Sequence, residues 1–195
     1  HYLGLEPTGP TDVFDTTLNS LVVDMLYSHD LVPQIFWILI TFLIGKALFK
    51  SNKIGIAGAL IVVSHFVLDI FSGHPHHIFG ADSHDIALGL YATNVYLAIA
   101  IEAVFIIAML WYFFKKEKEL GNEHTSKNKA YIIGLFVFGV VFMLSIATTS
   151  FRQLFNIPEF DFGFNSNVPT LIATYLAMIV YLNYFVPKFQ IDKKK

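Results

Sequence analysis

Residues 54–72 read IGIAGALIVVSHFVLDIFS, an apolar run that is long enough to cross a bilayer yet carries His65 and Asp69. A transmembrane helix needs about 20 mostly apolar residues. Four other runs have the same character, at residues 31–49, 86–114, 130–150 and 168–186. We therefore predict an all-α fold, a polytopic membrane bundle of about five transmembrane helices. The first residues of the long third run are expected to lie outside the hydrocarbon.

The amino-acid composition agrees with a membrane protein and excludes several other classes. Hydrophobic residues make up 55% of the chain and charged residues only 14%, whereas a soluble domain carries about 25% charged residues. A disordered chain, a basic nucleic-acid-binding domain and an ordinary soluble enzyme are therefore excluded. The chain has no cysteine, which excludes disulfides, iron–sulfur clusters, covalent c-type haem and thiolate zinc sites. Any metal must be bound by histidines and carboxylates, and we expect neither a nucleotide cofactor nor a nucleic-acid partner.

The distribution of positive charge predicts the orientation of the chain. Twelve of the 13 Lys and Arg residues fall in one set of alternating connecting segments, and the other set contains only Arg152. Because cytoplasmic loops are enriched in Lys and Arg, we predict a multi-pass plasma-membrane protein with an external N-terminal segment and a cytoplasmic C-terminus. The predicted organisation is an outer segment at 1–30, a five-helix domain at 31–187 and a basic cytoplasmic tail at 188–195.

The segment before the first span has an amphipathic pattern. Apolar side chains recur at helical spacing within residues 11–28, namely Phe14, Leu18, Leu21, Val22 and Met25. Pro10 followed by Thr11 or Asp12 suits a helix start. We predict an N-terminal amphipathic helix that lies in the membrane interface; the alternative is a helix packed over the loops.

Ionisable residues gather near the predicted outer ends of the spans. His65 and Asp69 are four residues apart and so share one helix face, with His65 about 6 Å deeper in the membrane. A polar pair at this depth is costly unless it is paired, hydrated or bound to a ligand. The next loop, residues 73–85, reads GHPHHIFGADSHD, and His29 precedes the first span. The predicted topology therefore brings these groups together at the outer leaflet.

These residue types suit a metal site. Neutral imidazole and carboxylate are the usual ligands of zinc, copper or manganese when thiolates are absent. The candidate ligands are His29, His65, Asp69, His74 and His76. Asp69 and Asp85 are the candidate catalytic bases, because a metal-bound water needs a nearby proton acceptor. The alternatives are a hydrogen-bonded His65–Asp69 pair that ties helices together and solvated loop histidines at positions 76, 77 and 84.

Glu102 lies near the middle of the third span and should face the interior of the bundle. A structural hydrogen bond to Asn94, Tyr96 or another helix is one interpretation, and a proton relay is the other. His124, in a charged cytoplasmic loop, is expected to be solvated.

Arg152 is the one cation on the predicted outer side. It begins a loop that also contains Glu159 and Asp161, which suggests a local ion pair. The alternative is a contact with an anionic substrate beside the histidines.

Short elements of the sequence resemble a known family. They are YSHDL at 27–31, SHFVLD at 64–69 and ALGLY at 87–91, with Glu102 in the following span and LGLE at 3–6 as a lead-in. Over most of its length the chain resembles a family of small, uncharacterised prokaryotic polytopic membrane proteins. That family has Ser where Asp30 stands here and Trp where Tyr91 stands. It is distantly similar to membrane-bound metal-dependent hydrolases.

The resemblance implies a metal-dependent hydrolase that acts on a lipid headgroup or on another phosphate or ester. In this interpretation His29, His65 and Asp69 bind the metal directly, and His74, His76 and Asp85 complete the site. The competing hypothesis is a non-catalytic helical subunit of a larger membrane complex, such as a membrane-bound monooxygenase or a respiratory assembly. Besides the lipid bilayer, other membrane subunits or further copies of the chain are the expected partners.

Overall fold

The structure is a computed structural model that describes residues 6, 8–23, 25–72 and 76–186. Within these residues, five helices are long and apolar enough to cross a membrane. They are α1 (Leu31–Phe49), α2 (Asn52–Ser72), α4 (Val95–Glu119), α5 (Ser126–Ser145) and α7 (Asn167–Phe185). Two short helices, α3 (Leu90–Thr93) and α6 (Phe151–Phe155), and a pair of two-residue antiparallel strands, β1 (Thr8–Gly9) and β2 (Val22–Val23), complete the described chain. The prediction of an all-α helical bundle is confirmed.

Capping residues shift two of the predicted spans. The predicted run 86–114 begins as a long helix only at Val95, because the side chain of Asn94 accepts the Leu97 N–H at 3.2 Å and starts α4 there. The predicted run 130–150 becomes Ser126–Ser145, which starts after the cap at Thr125. A helix start depends on a side chain that accepts an orphan N–H, and an apolar run does not contain this information.

Helices α1 and α2 form a hairpin that packs through glycines. A Cβ atom on Gly45 would lie 3.0 Å from the Cα of Gly55, and a Cβ on Gly55 would lie 2.7 Å from the carbonyl oxygen of Phe42. Small residues allow membrane helices to approach this closely. Helix α2 packs against α4 on its other side, α4 packs against α5, and α5 packs against α7.

The buried core lies at one end of the bundle. Val95, Ile99 and Ala147 form its centre, and Leu18 and Tyr91 are among the residues that pack on it. This end, which also carries His29 and the last residues of α2, is called the cluster end below. Most apolar side chains of the long helices remain exposed, as expected for helices that are surrounded by lipid rather than by protein.

The predicted amphipathic helix at residues 11–28 is wrong. The described residues of this segment form turns and the strand β2. Local side-chain acceptors explain the difference: Asp12 Oδ1 accepts the Phe14 N–H at 2.8 Å, and Thr17 Oγ1 accepts the Ser20 N–H at 3.2 Å. Such bonds offer the backbone an alternative to the helix. An apolar period alone does not detect this competition.

The N-terminal segment is instead tied to the bundle. The Leu18 N–H donates to the Ile146 carbonyl at 2.9 Å at the end of α5. At the start of α7, Ser166 Oγ accepts the Val13 N–H at 2.9 Å, and the Asn167 amide donates to the Pro10 carbonyl at 2.5 Å. These bonds cover the cluster end with a protein layer.

Arg152 makes long-range ion pairs instead of the expected local one. Its guanidinium donates to Asp12 and Asp15 rather than to Glu159 or Asp161, and it also donates to the Pro158 carbonyl. The hydrogen bond that Arg152 donates to Asp15 is the largest cause of a pKa of Arg152 above its ordinary value. Arg152 therefore stays charged and anchors the N-terminal segment.

His124 is buried, and the prediction of a solvated side chain is wrong. Its Nε2 lies 3.3 Å from Glu117 Oε2, and its Nδ1 contacts the Asn128 side chain. The Asn128 amide donates to the Phe185 carbonyl at 2.6 Å. These contacts tie α4, α5 and α7 together at the end opposite the cluster.

The close approach of α1 and α2 predicts the effect of a Gly55→Ala substitution. The new methyl group would lie 2.7 Å from the Phe42 carbonyl oxygen, so the two helices must separate. We expect a loss of about 1–3 kcal/mol of stability, measured by thermal unfolding in detergent. Gly139→Ala in α5 is the control, because a Cβ there meets nothing within 4 Å. Equal unfolding temperatures for the two variants would contradict this packing.

Candidate metal centre

Three side chains meet at the cluster end and form the His–His–Asp cluster. His29 Nε2 lies 3.3 Å from His65 Nε2 and 3.7 Å from Asp69 Oδ2. His65 Nε2 lies 3.3 Å from the same carboxylate oxygen. Two nitrogens and one oxygen thus form a nearly regular triangle, and these are atom types that bind a divalent metal.

Helix α2 supplies two of the three groups. Residues four apart stand one above the other on a helix face, so His65 and Asp69 point to the same side. Asp69 Oδ2 is shielded from solvent and receives no hydrogen bond of good geometry from the described residues. A buried carboxylate oxygen in this situation is costly, and a cation at the centre of the triangle would remove the cost.

A hydrogen-bonded turn holds His29 against α2. The Glu6 carboxylate accepts the backbone N–H groups of Tyr27 and Ser28 at 2.9 and 2.8 Å. The side-chain amide of Gln34 donates to the Ser28 carbonyl at 2.7 Å, and the Trp37 indole donates to the Tyr27 carbonyl at 3.1 Å. These bonds fix the backbone that precedes α1 and so the position of the His29 ring.

The environment of the His29 ring favours metal binding. Ser28 Oγ lies 2.6 Å from Nδ1. When Nδ1 carries the proton and donates it to Ser28, the lone pair of Nε2 faces the cluster, which is the arrangement found for metal-binding histidines. The His76 ring stacks on His29 at 5.7 Å, and Phe66 lies against His76 at 6.4 Å. His29 is therefore held on two sides.

The pKa of His29 is lowered from 6.5 to about 4. Burial is the largest cause, followed by the positive charges that His65 and His76 acquire in acid, while Glu6 acts in the opposite direction. At neutral pH the ring is consequently uncharged, and this is the form that binds a metal.

The loop after α2 is anchored by Asp30. This buried carboxylate accepts the backbone N–H groups of His77 at 2.9 Å and Gly80 at 2.7 Å, and it makes no hydrogen bond that caps its own helix. The anchored loop carries His76 onto the His29 ring. His76 is thus a neighbour of the cluster rather than a corner of the triangle.

Two other candidates in this loop are not joined to the cluster. Asp85 is exposed and accepts the Ala87 N–H at 2.9 Å. Among its described contacts, none reaches His29, His65 or Asp69, so its role as a base stays a prediction. His74 lies outside the described residues.

Glu102 accepts a hydrogen bond from the Tyr91 hydroxyl, so its partner is neither Asn94 nor Tyr96. It is also close enough to Asp69 for the two carboxylate charges to interact. The sequence showed Tyr91 only as part of a motif, and the fold gives this residue a role as a hydrogen-bond donor.

Arg152 lies in a separate cavity of about 380 Å³ at the cluster end. The cavity is lined by Thr11, Asp12, Asp15, Arg152, Glu159, Phe160, Asp161, Phe162 and Phe164. The guanidinium of Arg152 already donates hydrogen bonds to carboxylates and backbone carbonyls. A contact with an anionic substrate therefore stays a prediction.

The size of the triangle distinguishes between coordination geometries. Tetrahedral ligands at about 2.1 Å from a metal stand about 3.4 Å apart, whereas neighbouring octahedral ligands at that distance stand about 3.0 Å apart. The observed separations of 3.3, 3.3 and 3.7 Å fit the tetrahedral set. Three protein ligands would leave one position for water or a substrate.

Comparison of the chain with models of known protein families, with curated proteins and with solved structures gives no match. The functional interpretation therefore depends on the residues of the site.

The lowered pKa of His29 predicts its titration in the metal-free protein. Because the ring titrates near pH 4 when folded and near 6.5 when unfolded, the unfolded state binds more protons below pH 6.5. The folded protein is therefore expected to lose no stability through His29 above pH 6.5. Between pH 6.5 and about 4, protonation of this residue in the unfolded state progressively lowers the free energy of unfolding. Nitrogen-15 NMR of labelled histidine, assigned with a His29→Gln variant, measures this directly. A His29 midpoint near 6.5 would contradict the buried position.

Proposed function

We propose that the His–His–Asp cluster binds a divalent metal of the zinc type. The observation that supports this proposal most strongly is the triangle formed by the ring nitrogens of His29 and His65 and by the carboxylate oxygen of Asp69. The neutral state of His29, the hydrogen bond to Ser28 and the tetrahedral separations all support this assignment. Zinc fits these separations better than divalent copper, which prefers a tetragonal ligand set, and better than manganese, which prefers octahedral oxygen ligands.

We further propose that the bound metal serves a hydrolase. A metal with three protein ligands and an open position lowers the pKa of a bound water and makes hydroxide near neutral pH. Hydroxide would add to the phosphorus or carbonyl carbon of an ester, and the alcohol would leave with the proton. Glu102, whose charge acts on Asp69, would take the proton that the water gives up and return it to the leaving alkoxide. The resemblance of the YSHDL and SHFVLD elements to the metal-dependent hydrolases supports the same reaction class.

The second candidate function is that of a subunit in a membrane complex. Helix α7 has no buried side chain among its described residues. An apolar groove of about 360 Å³ lies between α5 and α7 and is lined by residues such as Phe138, Ala177 and Tyr181. A stoichiometric partner that co-purifies from native membranes would favour this role.

Metal content tests the proposal. We expect His65→Ala and Asp69→Ala to lower zinc affinity by at least about 10- to 100-fold, because losing a ligand costs no less than losing a residue that orients one. His84→Ala is the control, since His84 is an exposed loop residue. The measurement is zinc per chain by mass spectrometry after dialysis against a buffered zinc series. Unchanged zinc content in both cluster variants would overturn the proposal.

We propose that the cluster end faces outward, as the Lys and Arg distribution predicts. Because the chain has no cysteine, single cysteines report the orientation cleanly. We expect Ala81→Cys, in the loop after α2, to react with an impermeant maleimide in intact cells. Glu123→Cys, at the opposite end and equally exposed, should react only after lysis. The reverse labelling pattern would contradict this orientation.

A further inference from the structure

One corner of the cluster is open while the other two are covered. The side chain of His65 is 60% exposed, whereas those of His29 and Asp69 are 20% and 19% exposed. His65 nevertheless lies within the membrane-spanning part of α2. An imidazole exposed at this depth needs water, a partner or a ligand.

The opening faces the bilayer. Ile61 precedes His65 by one helical turn on the same face and is 70% exposed. Exposed apolar side chains on a spanning helix contact lipid. The open side of the cluster is therefore bordered by a lipid-facing side chain.

On the side opposite the opening, the cluster is covered by described residues of the loop after α2, from His76 to Gly80. His76 is buried at 1% exposure and stacks on the ring of His29. Asp30, also buried at 1%, holds this loop down through the N–H groups of His77 and Gly80. A ligand that came from water would meet this layer first.

The cluster reaches from the start of α1 into the apolar part of α2. His65 lies seven residues before the end of α2, about 10 Å along the helix axis, and His29 lies two residues before α1 begins. A span of about 20 residues covers the apolar core of about 30 Å, so the opening at His65 lies inside this core and about two helical turns from the end of α2.

We propose that the metal in the cluster takes its fourth ligand sideways from the bilayer, as a phosphate oxygen of a membrane lipid. Two neutral imidazoles and one carboxylate leave a divalent metal with one positive charge, which the single negative charge of a phosphodiester balances. The proposal rests on the metal site of the proposed function. It adds the class of ligand, a phospholipid, and the route by which that ligand arrives.

Cobalt-substituted protein in a phosphate-free maltoside detergent tests the proposal, because the visible spectrum of Co²⁺ changes with its ligands. We expect phosphatidylglycerol to shift the spectrum, while the neutral lipid diacylglycerol has no effect. Glycerol 3-phosphate and inorganic phosphate, as water-borne sources of the same chemistry, should have no effect at equal concentration. The variant Ile61→Trp, which narrows the opening, should keep its cobalt and lose the lipid-induced shift.

Ile107→Trp on α4, at a position that is 67% exposed, is the matched control and should respond like the parent chain. If Ile61→Trp loses cobalt, Ile61→Phe replaces it. Equal shifts from phosphate and from lipid, or an undiminished lipid shift in the Ile61 variant, would overturn lateral access. If cobalt binds but its spectrum does not respond to lipid, a phospholipid is not the fourth ligand and the proposal is overturned. A chain that binds no cobalt would instead show that the proposed metal site itself is wrong.

Discussion

The carboxylate of Asp69 imposes the main constraint on this structure. It places an acceptor oxygen inside a membrane-spanning helix, shielded from solvent and without a well-aligned hydrogen-bond donor among the described residues. Burying such a group in an apolar medium without a partner raises the free energy of the folded state, so the surrounding chain must compensate for it. Imidazole nitrogens of His29 and His65 approach the oxygen to within 3.7 Å. The resulting triangle is what a cation would stabilise.

The cluster end is organised around this constraint. Glu6 and Gln34 fix the turn that brings His29 to α2, and Asp30 fixes the loop that covers it. Arg152 fixes the N-terminal segment that covers α4 and α5. Polar side chains here hold backbone segments in place rather than facing water, and at the opposite end His124 and Asn128 do the same for α4, α5 and α7.

The five spans were predictable, because length and apolar composition alone decide whether a helix can cross a bilayer. The meeting of His29 with His65 followed from topology, since both residues lie at one end of the first two spans. The turn-rich segment 11–28 was not predictable from its apolar period, because local bonds of Asp12 and Thr17 compete with the helix. The roles of Glu6 and Tyr91 depend on contacts between distant segments, which no spacing in the sequence reveals.

X-ray absorption spectroscopy of the zinc-loaded protein shows whether His29 and His65 bind the metal. We expect a four-coordinate shell of nitrogen and oxygen at about 2.0–2.1 Å, with the outer-shell scattering of two imidazoles. Because the chain has no cysteine, no sulfur contribution can complicate the fit. A six-coordinate, oxygen-only shell without imidazole scattering would contradict the assignment of His29 and His65 as ligands.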